Sequence, residues 1–83
     1  MRYTLIIRPR AYKDLAQLSH VDEERILDAI EKLKDNLTGD VKRLRNFSPG
    51  YRLRVGDYRV LFEVEKSAIA IHRVRHRREV YRN

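Results

Sequence analysis

Two alternating segments around a turn signal constrain the fold more than any other feature of this chain. Residues 51–65 alternate between apolar and polar side chains on either side of a Gly-Asp pair at 56–57, which favours a tight hairpin. Because successive side chains of a strand point to opposite faces, burial of the apolar set sends Arg52, Arg54 and Arg59 to the other face. The sequence therefore predicts a β-hairpin with one apolar face and one open face that carries three arginines.

The first half of the chain predicts one strand and two helices. Residues 3–8 are β-branched and aromatic, as in a strand. Pro9 suits the first position of a helix whose apolar residues recur at spacings of four and three. A second helix is predicted to have Asp22 as its N-cap and to end near Gly39. Its apolar stripe consists of Ile26, Ile30, Leu33 and Leu37. Two consecutive amphipathic helices predict a helical hairpin on a sheet.

The remaining segments complete one sheet. Residues 40–50 have the composition of a loop, and Lys-Ser at 66–67 predicts a turn. Residues 68–75 begin apolar on both faces, which is typical of a central strand. The chain ends two residues after Tyr81, so we expect no terminal helix. The predicted fold is α+β in a single domain over residues 1–83: an N-terminal strand, a helical hairpin and an antiparallel meander, with one sheet packed on the helices.

Composition excludes several classes of function. The chain has no cysteine, which excludes disulfides and thiolate metal sites. The three histidines and the acids lack the spacing of a metal site, and there is no glycine-rich phosphate loop, so we expect no cofactor. No apolar run approaches the roughly 20 residues of a membrane span. The apolar stretch at the N terminus is too short for a signal peptide, so we expect a cytoplasmic protein.

Positive charge is concentrated in the second half of the chain. Residues 42–83 hold 12 Lys/Arg and 4 Asp/Glu, a net of +8, whereas residues 1–41 hold 7 and 8, a net of −1. Most of the basic residues are arginines, whose planar guanidinium suits phosphate. One-sided basic charge with a pI of about 10.1 is typical of nucleic-acid binding. An acidic protein partner, or a basic protein without a specific partner, would satisfy the same charge.

The arginines of the hairpin and the basic segment 73–78 predict an RNA-binding surface, with Tyr81 available to stack on a base. The residues assigned to RNA contact are Lys42, Arg43, Arg45, Arg73, Arg75, His76 and Arg78. Arginines on an exposed sheet are also commonly just solvated, or paired with acids such as Glu63 and Glu65. Convergence of several arginines favours the phosphate-binding interpretation.

A family resemblance rests on three motifs. KRLR at 42–45, YRLRVGDYRVLF at 51–62 and RVRHRREVYR at 73–82 follow a helical first half of matching order and length. Together they resemble the RelE family of the RelE/ParE superfamily. The resemblance implies a RelE-like fold and a toxin of a type II toxin–antitoxin pair. RelE-like members enter the ribosomal A site and cleave mRNA without a metal, whereas ParE-like members inhibit DNA gyrase.

The resemblance implies catalytic roles for five residues. Arg52 and Arg54 match the family's basic pair, and Arg59 matches its transition-state arginine. Arg77 and Tyr81 match the arginine after the last strand and the late tyrosine. Relatives often carry lysines at the basic pair, and arginine clamps phosphate but carries protons poorly. In the implied reaction the RNA 2′-hydroxyl attacks the adjacent phosphate, and Tyr81 orients or deprotonates that hydroxyl or stacks on a base.

The predicted function is therefore a ribosome-dependent mRNA endoribonuclease, with ribosome and mRNA as partners. The alternatives are a ParE-like gyrase inhibitor without nuclease activity and a non-toxic basic RNA-binding module. The resemblance also implies a RelB-like antitoxin, partly disordered when free, that covers the arginine face or displaces the C-terminal tail. The toxin–antitoxin complex would be the form that meets operator DNA, and no membrane is involved.

Overall fold

The computed structural model describes residues 1–80, with the side chain of Val80 excepted. Its elements are β1 (Thr4–Ile7), α1 (Pro9–Ala16), α2 (His20–Leu33), β2 (Val41–Arg43), β3 (Tyr51–Val55), β4 (Tyr58–Glu65), β5 (Ala68–His76) and α3 (Arg77–Val80). The strands form one sheet in the order β1-β5-β4-β3-β2. Strand β1 runs parallel to β5, and the other neighbours are antiparallel. The predicted α+β architecture is confirmed.

The hairpin predicted around Gly56-Asp57 forms between strands β3 and β4. Val55 pairs with Tyr58 across a two-residue turn, and Gly56 adopts a φ of +57°, which glycine tolerates without strain. The predicted turn at 66–67 also forms, between β4 and β5. The third predicted strand is central, because β5 lies between β1 and β4.

The core lies between one face of the sheet and the helices α1 and α2. Its buried members are Ala11, Leu15, Ile26, Ile30, Leu33, Leu53, Val60, Phe62, Ile69, Ile71 and Val74. Complete burial of one large apolar side chain contributes about 1.5–3 kcal/mol, so this layer fixes which side of each strand faces outward. The strand residues between these positions form the outer face of the sheet.

The boundaries of the second helix differ from the prediction at both ends. Ser19, not Asp22, is the N-cap: its side-chain oxygen accepts a hydrogen bond from the backbone N–H of Asp22 at 3.2 Å. The helix ends at Leu33 instead of near Gly39. The reason is tertiary, because the backbone after Leu33 bonds to the start of the chain, with Lys34 O accepting from Tyr3 N at 2.8 Å. Leu37 still packs on the core, from beyond the helix.

Two segments carry structure that was not predicted. Residues 40–50 contain strand β2, which pairs with the edge of β3 that is not occupied by β4. At the other end of the chain, Arg77–Val80 forms the single turn α3, where we expected no helix. The backbone N–H of Arg77 bonds to the carbonyl of Asp57 at 2.7 Å, which attaches this turn to the β3–β4 hairpin. No helix within residues 1–80 is long and apolar enough to cross a membrane.

Candidate nucleic-acid interface

A row of three arginines crosses the outer face of the sheet. Arg54 on β3 pairs with Arg59 on β4, which pairs with Arg75 on β5. Residues directly opposite in a sheet have Cβ atoms roughly 4.5–5.5 Å apart, and like charges at that distance are destabilising. We call these three residues the arginine row. It concentrates positive charge at the end of the sheet nearest the β3–β4 turn, at a cost in stability.

A second, mixed row lies beside the arginine row. Lys42 pairs with Arg52, Arg52 pairs with Leu61, and Leu61 pairs with Arg73. The outer face is therefore basic along β2 and β3 and apolar at its centre, where Leu61 is buried. The sequence prediction that Arg52, Arg54 and Arg59 share one face is confirmed by these registers.

Arg59 differs from the prediction in its burial. We expected it on an open surface, but it is only 5% exposed. Its Nη1 donates to the backbone carbonyls of Gly56 and Tyr58, both at 3.0 Å, because the side chain folds over the hairpin turn, where these carbonyls lie. Its Nε is buried without a partner. None of the ion pairs formed among residues 1–80 includes Arg59.

The two arginines of β3 have different surroundings. Arg54 is exposed. The side chain of Arg52 is 13% exposed, and its Nη2 lies 4.0 Å from the Asp40 carboxylate, while its Nε is buried without a partner. The pairing of face arginines with Glu63 or Glu65, the alternative raised by the sequence, does not occur within the described part of the chain; the acids that approach come from other segments.

Arg73 is held in a part-buried ion pair with a helix residue. Its Nε and Nη2 donate to the carboxylate of Asp14 on α1 at 2.8 and 3.2 Å, and the Val74 N–H donates to the same carboxylate at 2.9 Å. Burial alone would raise the pKa of Asp14, but these hydrogen bonds leave that pKa lowered; the bond to Asp14 raises the pKa of Arg73. We call this group the Asp14 clamp. It occupies the Arg73 fork that the sequence assigned to RNA.

The remaining basic residues after β5 make weaker contacts. Arg75 approaches Glu79 at 3.2 Å and Arg77 approaches Asp57 at 3.8 Å, and both acids are more than half exposed. Glu79 also accepts from the His76 backbone N–H at 3.3 Å, so α3 is tied to the arginine row by a carboxylate. Arg78 is exposed. Tyr81 lies outside the described residues.

The β2–β3 loop carries the other residues assigned to RNA. Arg43, Arg45 and Lys42 are exposed, and the Arg43 guanidinium lies 5.7 Å from the centre of the Tyr51 ring. Tyr51 in turn stacks on Phe62, with centroids 5.3 Å apart. This places one end of the basic surface three residues along β3 from Arg54 of the arginine row.

The sequence did not single out Asp14, and it predicted Tyr58 to be a core or edge aromatic. Asp14 gives no local signal, because its partner Arg73 is distant in sequence and the contact depends on the packing of α1 against β5. The Tyr58 hydroxyl donates to the Asp22 carboxylate at 3.3 Å. Its pKa is raised, mainly because the hydroxyl is partly buried and secondly because Asp22 is negatively charged. Tyr58 is therefore an edge aromatic of the core, as its alternation predicts. Among residues 1–80 no group of three or more His, Cys, Asp or Glu is arranged to hold a metal.

Comparison with known proteins gives a consistent assignment. Residues 5–81 match the family model described as ParE toxin of type II toxin-antitoxin system, parDE. Toxin RelE3 of Methanocaldococcus jannaschii is 34% identical over 74 residues, which is 83% of this chain and 84% of that protein. The fold matches the RelB–RelE antitoxin–toxin complex from Methanococcus jannaschii, with a TM-score of 0.77, 31% identity and coverage of 92% of this chain and 94% of that one.

The archaeal RelE–RelB complex from Pyrococcus horikoshii is a further structural relative. It has a TM-score of 0.75 and 28% identity, with coverage of 93% of this chain and 97% of that one. These matches extend over the helices, the hairpin and the basic segment, so they cover the whole arrangement described above. The chain belongs to the RelE family of toxins from type II toxin–antitoxin systems, within the RelE/ParE superfamily.

Proposed function

We propose that this toxin is a ribosome-dependent endoribonuclease that cleaves mRNA in the A site. The observation that carries the proposal is the Arg59 site: a guanidinium that is 5% exposed, bonded to carbonyls only, and flanked in register by Arg54 and Arg75. A buried charge without a counter-ion costs several kcal/mol, and an anion that docks beside it recovers part of that cost. A phosphodiester is the anion that matches several guanidinium forks at once.

The chemical step needs no group that the chain lacks. The 2′-hydroxyl oxygen forms a bond to the adjacent phosphorus while the bond from phosphorus to the 5′-oxygen breaks. The hydroxyl loses its proton to a base, and the departing 5′-oxygen gains one. The products are a 2′,3′-cyclic phosphate and a 5′-hydroxyl end. Negative charge grows on the phosphoryl oxygens during the step, and preorganised cations that face those oxygens stabilise it.

The arginines divide this work by their surroundings. Arg59 is fixed in place by two carbonyls, so it stabilises the developing charge without having to be ordered first. Arg54 and Arg77, which are exposed, clamp the flanking phosphates. The exposed acids near Arg75 and Arg77 form weak pairs that a phosphate displaces. Arg52, on β3, contacts a further phosphate of the RNA backbone.

Proton transfer is assigned to a group other than arginine, which stays protonated at neutral pH. Tyr81 is the candidate, either as the base or as the residue that orients the 2′-hydroxyl. The ribosome supplies the in-line alignment of the RNA, and alignment of this kind can account for about 7–11 kcal/mol of the barrier.

The partners follow from the proposed activity and from the relatives. Two solved relatives are RelB–RelE complexes. We propose a RelB-like antitoxin, partly disordered when free, that neutralises the toxin by covering the arginine face or displacing the C-terminal tail. The pair would bind operator DNA as a complex. The activity belongs to the cytoplasm, where ribosomes translate.

Primer extension on an mRNA translated in a purified system tests the proposal. Wild-type toxin is expected to produce new 5′ ends at A-site codons, and none on the same mRNA without ribosomes. Tyr81→Phe is expected to lower the yield of these ends, whereas Tyr12→Phe on α1, which removes the hydroxyl of an exposed tyrosine away from the site, leaves it unchanged. Translated mRNA that stays intact at toxin levels that stop protein synthesis would contradict the proposal.

Inhibition of DNA gyrase is a second candidate, favoured by the match of residues 5–81 to the ParE toxin family model. A supercoiling assay with purified gyrase separates the two. The ribonuclease proposal predicts full supercoiling activity at toxin concentrations that abolish translation. Loss of supercoiling with intact translation would instead favour the ParE-like function.

A further inference from the structure

A groove lies on the basic surface beyond the proposed cleavage site. It has a volume of about 970 Å³ and runs between the β2–β3 loop and the second half of β4. The residues that matter in it are Arg43, Arg45, Phe47, Tyr51 and Glu63. We call it the loop groove. It combines two cations, aromatic rings and a carboxylate, and the proposed cleavage chemistry uses none of them.

Phe47 is the free aromatic surface of the loop groove. It is 53% exposed, which is unusual for a large apolar ring on a polar loop. The other ring, Tyr51, already contacts the Phe62 ring, with centroids 5.3 Å apart, and the Arg43 guanidinium, 5.7 Å from its centre. A planar ligand that enters the groove therefore has one uncovered ring on which to stack.

Glu63 is the acidic side chain of the loop groove. A Cβ atom at position 50 would lie 3.1 Å from its Oε1, so Gly50 leaves the room that the carboxylate occupies beside the groove. Although Arg43 and Arg45 line the same groove, no ion pair formed within residues 1–80 includes Glu63. An ionised carboxylate only accepts hydrogen bonds, so it selects a ligand with donors.

We propose that the loop groove binds a guanine base of single-stranded RNA. The ring stacks on Phe47, the adjacent N1–H and N2–H₂ groups of its Watson–Crick edge donate to the two oxygens of Glu63, and Arg43 and Arg45 contact the phosphates. Recognition of splayed bases by stacking and edge hydrogen bonds is the common mode for single-stranded RNA. Adenine, cytosine and uracil do not present two adjacent donors on that edge.

The groove lies on the same RNA path as the arginine row. On β4, Glu63, Leu61 and Arg59 alternate with the core residues Phe62 and Val60, so Glu63 and Arg59 lie on the same outer face, about 13 Å apart at the usual rise of a strand. One RNA strand can therefore occupy both. This inference depends on the proposed function in one respect: both take RNA as the ligand of the toxin. A lining with one free ring and three charged side chains favours a nucleotide over the apolar face of a protein helix.

Amide chemical shifts of the isotope-labelled toxin test the site directly. The probes are 2′-O-methylated trinucleotides with guanine, hypoxanthine, adenine or cytosine between two uracils. The guanine probe is expected to shift the amides of residues 46–51 and 63 and to bind about tenfold more tightly than the others, the effect of one good bidentate contact. Hypoxanthine is the sharpest comparison, because it lacks only the N2 amino group.

Variants separate recognition from stacking. Glu63→Gln is expected to abolish the preference for guanine, and Phe47→Ala to weaken all four probes by about tenfold, since stacking tolerates any base. Glu65→Gln, which removes an equal charge from the exposed end of the same strand, leaves both properties unchanged. An unperturbed spectrum of each variant establishes that it is folded.

The results that overturn this inference differ from those that overturn the proposed function. Equal binding of all four probes by the wild type, shifts confined to other residues, or an unchanged guanine preference in Glu63→Gln rules out the groove site. Groove shifts caused by the cognate antitoxin but by no trinucleotide would make it a protein site instead. Cleavage of translated mRNA can persist in each of these cases, and selective guanine binding can persist without cleavage.

Discussion

Arg59 and Arg73 lie on neighbouring strands of one sheet and use the same functional group in opposite ways. Arg73 donates two hydrogen bonds to Asp14, which also accepts from the Val74 N–H. The Arg73 charge is therefore neutralised by a part-buried carboxylate of the protein itself. Arg59 is more deeply buried, yet its partners are two carbonyls. The Asp14 clamp attaches a helix to a strand, whereas we propose that the Arg59 site retains its charge for an external anion. Which role an arginine has depends on the acid that its surroundings provide.

The largest difference should appear when Arg59 is truncated. Arg59→Ala is expected to remove growth arrest in cells, because loss of one preorganised contact to a transition-state anion typically lowers a rate by about 100- to 1,000-fold. Its stability should stay within about 1 kcal/mol of wild type, since no carboxylate of the described chain loses a partner. Growth curves after induction, with urea unfolding of the purified protein, measure both. Growth arrest as strong as wild type would remove Arg59 from the active site.

The reverse pattern is expected at the Asp14 clamp. Asp14→Asn leaves a partly buried arginine without its counter-ion and should lower the free energy of unfolding by about 2–3 kcal/mol. The double change Asp14→Leu with Arg73→Met should recover much of the loss, because no charge is then stranded. Urea unfolding at neutral pH measures both variants. A single variant as stable as wild type would show that the clamp is not structural.

The pH dependence of stability sharpens the same contrast. The folded pKa of Asp14 is lowered, so its contribution is present above the unfolded pKa of about 3.9 and is lost as pH falls through the folded value. Wild type should therefore lose stability as the pH drops below about 4, and Asp14→Asn should lose less over the same range. Unfolding midpoints at a series of pH values check this. Parallel curves for the two proteins would contradict the assignment.

The smallest effect is expected at Glu79, an exposed acid that forms an ion pair with Arg75 of the arginine row. Glu79→Gln removes the charge that competes for Arg75 but keeps an acceptor for the His76 N–H. An exposed pair contributes about 0–1 kcal/mol, so stability should barely change while RNA trinucleotides bind up to about fivefold more tightly. Fluorescence titration measures the affinity, and Glu65→Gln is the control. Weaker binding would mean that Glu79 orders Arg75 for RNA.

Local patterns predicted much of the fold. The hairpin of β3 and β4 follows from alternation and a Gly-Asp turn, both of which act within a few residues. Strand β2 and the end of α2 at Leu33 escaped prediction because each depends on contacts that only the folded chain supplies, the free edge of β3 and the bond from Tyr3 to Lys34. The Ser19 cap is local, and it was missed because Ser19 and Asp22 are both residue types that favour the N-cap position.

The candidate site divides in the same way. Alternation correctly predicted that Arg52, Arg54 and Arg59 share a face, because strand geometry alone decides it. It did not predict that Arg59 folds over the turn or that Asp14 captures Arg73, because side-chain length and helix packing decide those contacts. Sequence alone therefore located the basic surface but did not separate Arg59, which has no carboxylate partner within the described residues, from Arg73, which holds a helix to the sheet.

Single-turnover cleavage on ribosomes programmed with one A-site codon tests the central claim most directly. The rate should fall by about 100-fold or more in Arg59→Ala, which remains folded. It should stay near the wild-type rate in Asp14→Asn, assayed at a temperature where that less stable variant is still folded. Equal cleavage by wild type and Arg59→Ala, or a larger loss in Asp14→Asn than in Arg59→Ala, would contradict the assignment of Arg59 to the scissile phosphate.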